Sequence, residues 1–416
     1  MTTAASAGVL PLTLADAIER GLAHNLGLMA VEQQVESARG SRLRTLRELL
    51  PRVDARAGDT RQTSNLAAFG FDSALFPGIP SIVGPYTIFD ARVYASQPVL
   101  DLSARSDLRS KNAALQAMRF ESENAHDVVT YVVTTLYFQA AAGESRIEAA
   151  RSQVSTAQAL LTQATNLRNA GVAPGIDVVR AQVQVQAQKQ RLILAENEFA
   201  KQTLQLVRAI GIPTAQAVRL ADRALPSSGD TTTVEAALAR AASGRADYKA
   251  SLERVRAAES ALRATRQDAL PTLQVNADVG VIGSNPGNAR RTYAMAVGVR
   301  VPLFDVDRNG RAIENMAALK QRQAEAADLQ QRIEADVRSA CLDVNAAERS
   351  RAVARERVSL ANQELSLARI RFTAGVTSNL EVTQAQNEVA VASENEVAAT
   401  FSLNVAQAAL ARAIGE

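Results

Sequence analysis

The chain of 416 residues has one cysteine, no tryptophan, two histidines and only 4% aromatics. A compact globule of this size normally fills its core with large rings, and this one has few to spend. The lone Cys341 excludes an internal disulfide. It lies in an Ala-rich stretch far from the N-terminus, so it implies neither a metal cluster nor a lipid-attachment site. His24 and His126 are far apart and the five methionines form no stripe, so nothing supports a metal site. No apolar run approaches the roughly 20 residues of a transmembrane helix. Met1 to Leu14 lacks a basic segment followed by an apolar one, so no signal peptide is visible. Charge of one sign is also missing: 46 basic residues face 43 acidic ones. No Lys/Arg run interleaved with aromatics appears, which excludes a nucleic-acid partner. There is no phosphate-binding glycine loop and no nucleophile elbow. The sequence therefore implies no enzyme, no catalytic residue and no cofactor, and any energy for work must come from a partner.

Proline is absent where it would matter most. None occurs between Pro98 and Pro174, where only Gly143 interrupts before the stop, and none follows Pro302. Val129, Val132, Val133, Leu136 and Ala140 recur at spacings of three and four, which predicts a helix from Leu102 to Arg168. About 65 residues at 1.5 Å each make a helix of about 100 Å. Asn169-Ala170-Gly171-Val172 stops it, and a return helix follows from about Ile176 to Ile210. The same events recur from about Arg311 to Arg371, through Thr373-Ala374-Gly375-Val376, and on from about Leu380 to Ile414. These are two long helical hairpins.

Between them the period changes to two. Leu273, Val275, Ala277, Val279 and Val281 alternate with Thr272, Gln274, Asn276 and Asp278, while Tyr293, Met295, Val297, Val299 and Val301 alternate with small or polar residues. These predict strands over about 272–281 and 291–301 joined at Gly283–Asn288. A weaker earlier pair is expected over about 52–60 and 87–97, with a longer loop carrying Phe69, Phe71 and Phe76.

The two halves repeat. At an offset of 220, Thr13 falls on Thr233, Ala17 on Ala237 and Leu50-Pro51 on Leu270-Pro271; past the first loop the offset is 204, and Pro98 meets Pro302 while Ala170-Gly171-Val172 meets Ala374-Gly375-Val376. The expected organisation is a first repeat at 13–211, a linker at 212–232 and a second repeat at 233–415, each running helix, strand, strand, helix, helix. The fold class is mostly α with transmembrane β.

Strands of about ten residues with one apolar face are long enough to cross a bilayer when tilted. Only closed barrels satisfy their backbone groups there, and four strands cannot close. Three chains would give twelve, with Arg52, Asp54, Arg56, Gln274, Asn276 and Asp278 lining the lumen. Six of sixteen aromatics crowd into residues 69–94, where interface girdles belong. Val178, Ala181 and Val185, like Val382, Ala385 and Val389, form narrow stripes. Such stripes suit the wall of a water-filled helical cylinder, and equally a coiled-coil rod. The rival reading is a soluble or periplasmic coiled-coil scaffold capped by β-hairpins.

The duplicated plan resembles the TolC-like outer-membrane efflux family (outer membrane factors). So do Leu50-Pro51 and Leu270-Pro271 entering the first strand of each half, and the exits Gln97-Pro98-Val99-Leu100-Asp101 and Val301-Pro302-Leu303-Phe304-Asp305. The hairpin tips, Leu167 to Val172 with Asp177-Val178 and Arg371 to Val376 with Glu381-Val382, resemble it too. The resemblance implies a homotrimer with a twelve-stranded outer-membrane β-barrel, four strands per chain, continuing into a periplasmic α-barrel tunnel. It implies an exit duct for efflux or type I secretion, embedded in outer-membrane lipid, with an inner-membrane transporter and a periplasmic adaptor (membrane fusion protein) as partners. It points to Arg168, Gly171, Val172, Arg371, Gly375 and Val376 as the adaptor-docking tip. Asp177, Glu381 and Gln384 are the pore-constriction candidates. Some relatives carry two Asp three apart after the second tip; here Glu381 and Gln384 stand there, so only one acid is kept. The N-terminal lipid-bearing Cys of some members and the C-terminal extension of others have no counterpart in this sequence.

Overall fold

The computed structural model describes residues 9–70, 78, 80–172, 174–222, 233–374 and 376–416. Phe71, Phe76 and Gly375 lie outside the described residues, as does the second part of the expected linker, 223–232. In chain order the elements are β1 (Leu10–Leu12), α1 (Leu14–His24), α2 (Leu26–Leu46), β2 (Arg52–Asn65), β3 (Ile82–Leu100), α3 (Leu102–Asn169) and α4 (Gly175–Ala209). There follow β4 (Val218–Leu220), α5 (Val234–Gly244), α6 (Ala246–Gln267), β5 (Thr272–Gly283), β6 (Arg290–Arg300), α7 (Val306–Thr373) and α8 (Asn379–Ile414). The architecture is mostly helical with antiparallel strands, and the duplication is visible as α3 and α7, each 68 residues long. Two compact units result. One comprises the chain up to Gln33 with Arg119–Lys249 and Ala327–Glu416; the other comprises Gln34–Met118 and Ala250–Ala326.

The first unit is helical. Its larger core gathers Leu12, Val133, Tyr137, Phe138, Leu206, Val207 and Ile210. A second core, with Ala237, Ala241, Ile333, Val337, Cys341 and Ile414, repeats it. Val133 and Val337 are 204 residues apart, as are Tyr137 and Cys341. The first core also holds the parallel pair β1–β4. There the Tyr137 hydroxyl donates to Leu12 O at 2.9 Å and accepts from the amides of Asp222 and Ala221 at 3.0 and 3.2 Å.

All four hairpin helices end alike. The amides of Val172, Ile212, Val376 and Glu416 donate to the carbonyls five residues before them, of Leu167, Val207, Arg371 and Ala411, at 2.9–3.0 Å. This is the six-to-one closure of a Schellman stop, which needs a left-handed residue one position earlier. Gly211 supplies it at φ +68°, and its missing Cβ leaves room for the His24 ring.

The sequence shows no apolar run of transmembrane length, yet α8 is long and apolar enough to cross a membrane by length and composition. Its Ala and Val content raises its hydropathy without making a lipid-facing surface. Val382, Ala385, Ala392 and Leu403 are buried in the unit. Glu388, Glu394 and Glu396 pair with Arg357, Arg146 and Arg355 on α7 and α3. Three such acids are costly in hydrocarbon, so α8 belongs to the bundle.

The second unit holds the sheet, ordered β2-β3-β5-β6 and antiparallel throughout. β2 and β3 run to 14 and 19 residues, beyond the spans expected at 52–60 and 87–97. Gln62 and Ser64 read as loop by composition, but pairing with Tyr86 and Val83 keeps them extended.

Candidate functional site

The hairpin tips form one end of the helical unit. At the first tip α3 stops in the Schellman turn, with Gly171 left-handed at φ +73° and nothing near its missing Cβ. Glycine is there for backbone conformation, since no neighbour demands the space. Arg168 is exposed and donates to Asn169 Oδ1 at 3.1 Å. Val172 and Val376 project as exposed apolar side chains, 67% and 70% accessible. Arg371 lies 3.6 Å from the Glu381 carboxylate, which also bonds the Thr377 hydroxyl. Gln384, one turn further along α8, is exposed.

Asp177 is placed differently. Its side chain is 6% accessible and lies 3.5 Å from Arg180, and its backbone carbonyl accepts from the buried Asn379 side-chain amide at 3.0 Å. Two further bonds tie the hairpins together: Gln163 Nε2 to Thr373 Oγ1 at 2.8 Å and Gln184 Nε2 to Asn387 Oδ1 at 3.1 Å. Beneath them Leu160, Leu365, Phe372, Val382 and Ala385 form an apolar plug. Asn379 and Gln184 were not singled out by sequence, because the bond each makes is to a partner about 200 residues away. Among the described residues no cluster of His, Cys, Asp and Glu could hold a metal ion.

The sheet unit shows two opposed faces. Register aligns Val53-Ala95-Ala277-Met295 and Ala55-Val93-Val279-Tyr293 on one side, with Val275-Val297 and Leu273-Val299 below them. Several of these side chains are exposed, up to 84% for Tyr293. The other side carries Arg52-Ser96-Asn276-Ala296, Asp54-Tyr94-Asp278-Ala294 and Arg56-Arg92-Gly280-Thr292. So the residues assigned to a lumen by sequence do share one face. Arg92 links Asp90 at 2.8 Å and Asp278 at 2.7 Å across the strands.

An amphipathic sheet that bares its apolar face, fed by helices about 100 Å long, defines a membrane channel component. Comparison with known proteins gives the family. Residues 17–212 and 237–416 match the family described as outer membrane efflux protein. The chain is 25% identical over 344 residues to the pyoverdine export outer membrane protein OpmQ of Pseudomonas putida, covering 79% of this chain and 71% of that one. Its fold is similar to that of the outer membrane protein VceC from Vibrio cholerae, with TM-score 0.81, 16% identity and coverage of 97% and 96% of the two chains. It is also similar to a membrane protein from Pseudomonas aeruginosa, with TM-score 0.82, 17% identity and coverage of 97% and 90%.

The chain belongs to the outer membrane efflux protein family. It is an outer-membrane efflux channel of tripartite systems, spanning that membrane and extending into the periplasm, and it is not an enzyme. The coiled-coil scaffold reading is thereby set aside.

Proposed function

We propose that three copies of this chain assemble into a passive exit duct, each donating β2, β3, β5 and β6 to one twelve-stranded barrel. The observation that carries this is the sheet itself: four strands, an exposed apolar face and open edges at β2 and β6. A bilayer tolerates no open edge, and neighbouring chains remove both at once. The repeats at 13–211 and 233–415, joined through 212–232, then supply equivalent halves of each protomer's wall.

The tip is proposed as the docking end. Arg168, Gly171 and Val172, with Arg371, Gly375 and Val376, would receive a periplasmic adaptor that couples the duct to an inner-membrane transporter. The exposed Val172 and Val376 offer apolar contact beside arginines, a combination suited to a partner's helical hairpin. Glu381 and Gln384 are the side chains proposed to narrow the pore. Asp177, enclosed beside Asn379, acts in this reading as a fastener between hairpins. The cargo includes whatever the pump delivers, by efflux or by secretion.

The test is the mass of the protein extracted from outer membranes in detergent, after expression with an export signal. A detergent-dependent trimer with heat-sensitive mobility is expected. A monomer or dimer that stays soluble without detergent would remove the shared barrel. Crosslinking from cysteines at 172 and 376 to the adaptor, lost when the tip is masked, would support docking there.

A further inference from the structure

We infer that the polar face of the sheet makes the barrel anion-selective. The inference rests on the trimeric barrel proposed above, in which that face lines the lumen. Register places five arginines on it (Arg52, Arg56, Arg92, Arg290 and Arg300) against three aspartates (Asp54, Asp90 and Asp278). The excess is two positive charges per chain and six in a trimer. The opposite face has charge only near the hairpin ends, at Asp59, Arg61 and Arg291.

The distribution matters more than the count. Asp54 lies 3.0 Å from Arg52 and is neutralised by it, while Asp90 and Asp278 share Arg92 and keep one negative charge between them, so the excess of two comes from Arg56, Arg290 and Arg300. Gly280 makes the second arrangement possible. It stands opposite Arg92, and a Cβ there would lie 2.6 Å from the Arg92 Cγ. Arg56 is left without a carboxylate among the described residues. Its guanidinium sits 5.2 Å over the Tyr94 ring, which fixes its position while leaving its charge uncancelled. Arg290, at the start of β6, is exposed and likewise has no ion pair among the described residues.

In a trimer the lumen carries an excess of six positive charges, from Arg56, Arg290 and Arg300 of each chain less the one carboxylate left over at Arg92, and arginine-lined pores favour anions. A low-dielectric wall focuses that field into the lumen, and salt screens it over about 10 Å at 0.1 M.

The experiment is a reversal-potential measurement on the purified trimer in planar bilayers, under an about tenfold KCl gradient centred near 0.1 M. Glu381→Gln serves as background, so that an acid at the tip cannot mask the barrel. Chloride should permeate better than potassium in that background. Adding Arg56→Glu should lower the chloride-to-potassium ratio by at least about twofold, and Arg290→Glu should shift it in the same direction. A ratio that favours potassium in Glu381→Gln, or one that neither Arg56→Glu nor Arg290→Glu moves, overturns the inference while the duct stands. A trimer that conducts nothing, or protein that never forms a trimer, overturns the barrel reading and the inference with it.

Discussion

Asp177 and Glu381 stand 204 residues apart, at equivalent positions of the two repeats, yet the first is enclosed and the second half-exposed. The difference comes from Asn379, which occupies the place of Gly175 in the second repeat and reaches across to the Asp177 carbonyl. A duplicated sequence has thus given the two tips different surroundings: one carboxylate is enclosed, the other stays accessible.

That fastening can be tested at Asn379. Its amide nitrogen bonds Asp177 O, while its Oδ1 is buried without a partner. Asn379→Ala loses one hydrogen bond but also relieves the orphan oxygen, so its net cost is about 1 kcal/mol or less. Asn379→Asp replaces the donor by a buried acceptor facing a carbonyl, and should cost about 3 kcal/mol or more. Proteolytic nicking near residues 170–176 and 374–378 should follow that order. Equal susceptibility of the two variants would refute the assignment.

Tyr137→Phe removes one hydroxyl that serves three backbone groups, those of Leu12, Ala221 and Asp222. The Ala221 amide and the Leu12 carbonyl still bond each other at 3.0 Å, so only the Asp222 amide loses its partner, and a loss of about 1–3 kcal/mol is expected in thermal unfolding. Burial, foremost, also pushes the Tyr137 hydroxyl above the usual tyrosine range. A raised folded value means that the neutral form is held more tightly in the native state. The stability this contributes is complete below the ordinary tyrosine pKa of about 10 and disappears as pH rises through the folded value. Alkaline unfolding of the Phe variant should lack that step.

Partial burial shifts Asp127 in the same direction. Desolvation raises its carboxyl above the usual aspartate range, with Glu123 and Asp247 adding to the shift and His126 and Arg412 opposing it. The folded state therefore holds the proton better than the unfolded chain. The stabilisation from this is present at acid pH and vanishes as pH climbs past the raised value, leaving a partly desolvated charge at neutrality. Asp127→Asn should raise the melting temperature at pH 7 and change it little near pH 3. A lower melting temperature at pH 7 would contradict this.

Cys341 lies in the second core beside Val337 and Ile414, and burial raises its thiol. Thiolate is the reactive form, so a maleimide should label native protein slowly and denatured protein at once. Rapid stoichiometric labelling of the folded protein would mean that this core is open.

Much of this was legible because the helices announce themselves by what interrupts them. Pro98, Gly171, Pro174 and Pro302 bracket α3, α4 and α7 so tightly that their ends could be placed within a few residues, α7 alone starting at Val306, five residues before Arg311. Alternation assigned the faces of β5 and β6 because nearly every apolar side chain there falls on one side. The limits have a physical origin too. β2 ends in Thr, Gln and Ser, whose composition says loop and whose partners on β3 say strand. Arg92 reaching Asp278 depends on a register between residues 186 apart, and no local pattern encodes it. Burial of Asp177 depends likewise on the partner tip.

The sheet ends at β2 on one side and β6 on the other, and each edge exposes a row of peptide groups with no hydrogen-bond partner. In water such rows invite indiscriminate strand addition, and in lipid they are prohibitively expensive. A solitary chain consequently has no good place to wait. Insertion and assembly must be coupled, so the stability of the barrel becomes a function of how many chains arrive together, and chain supply acts as a folding variable in its own right.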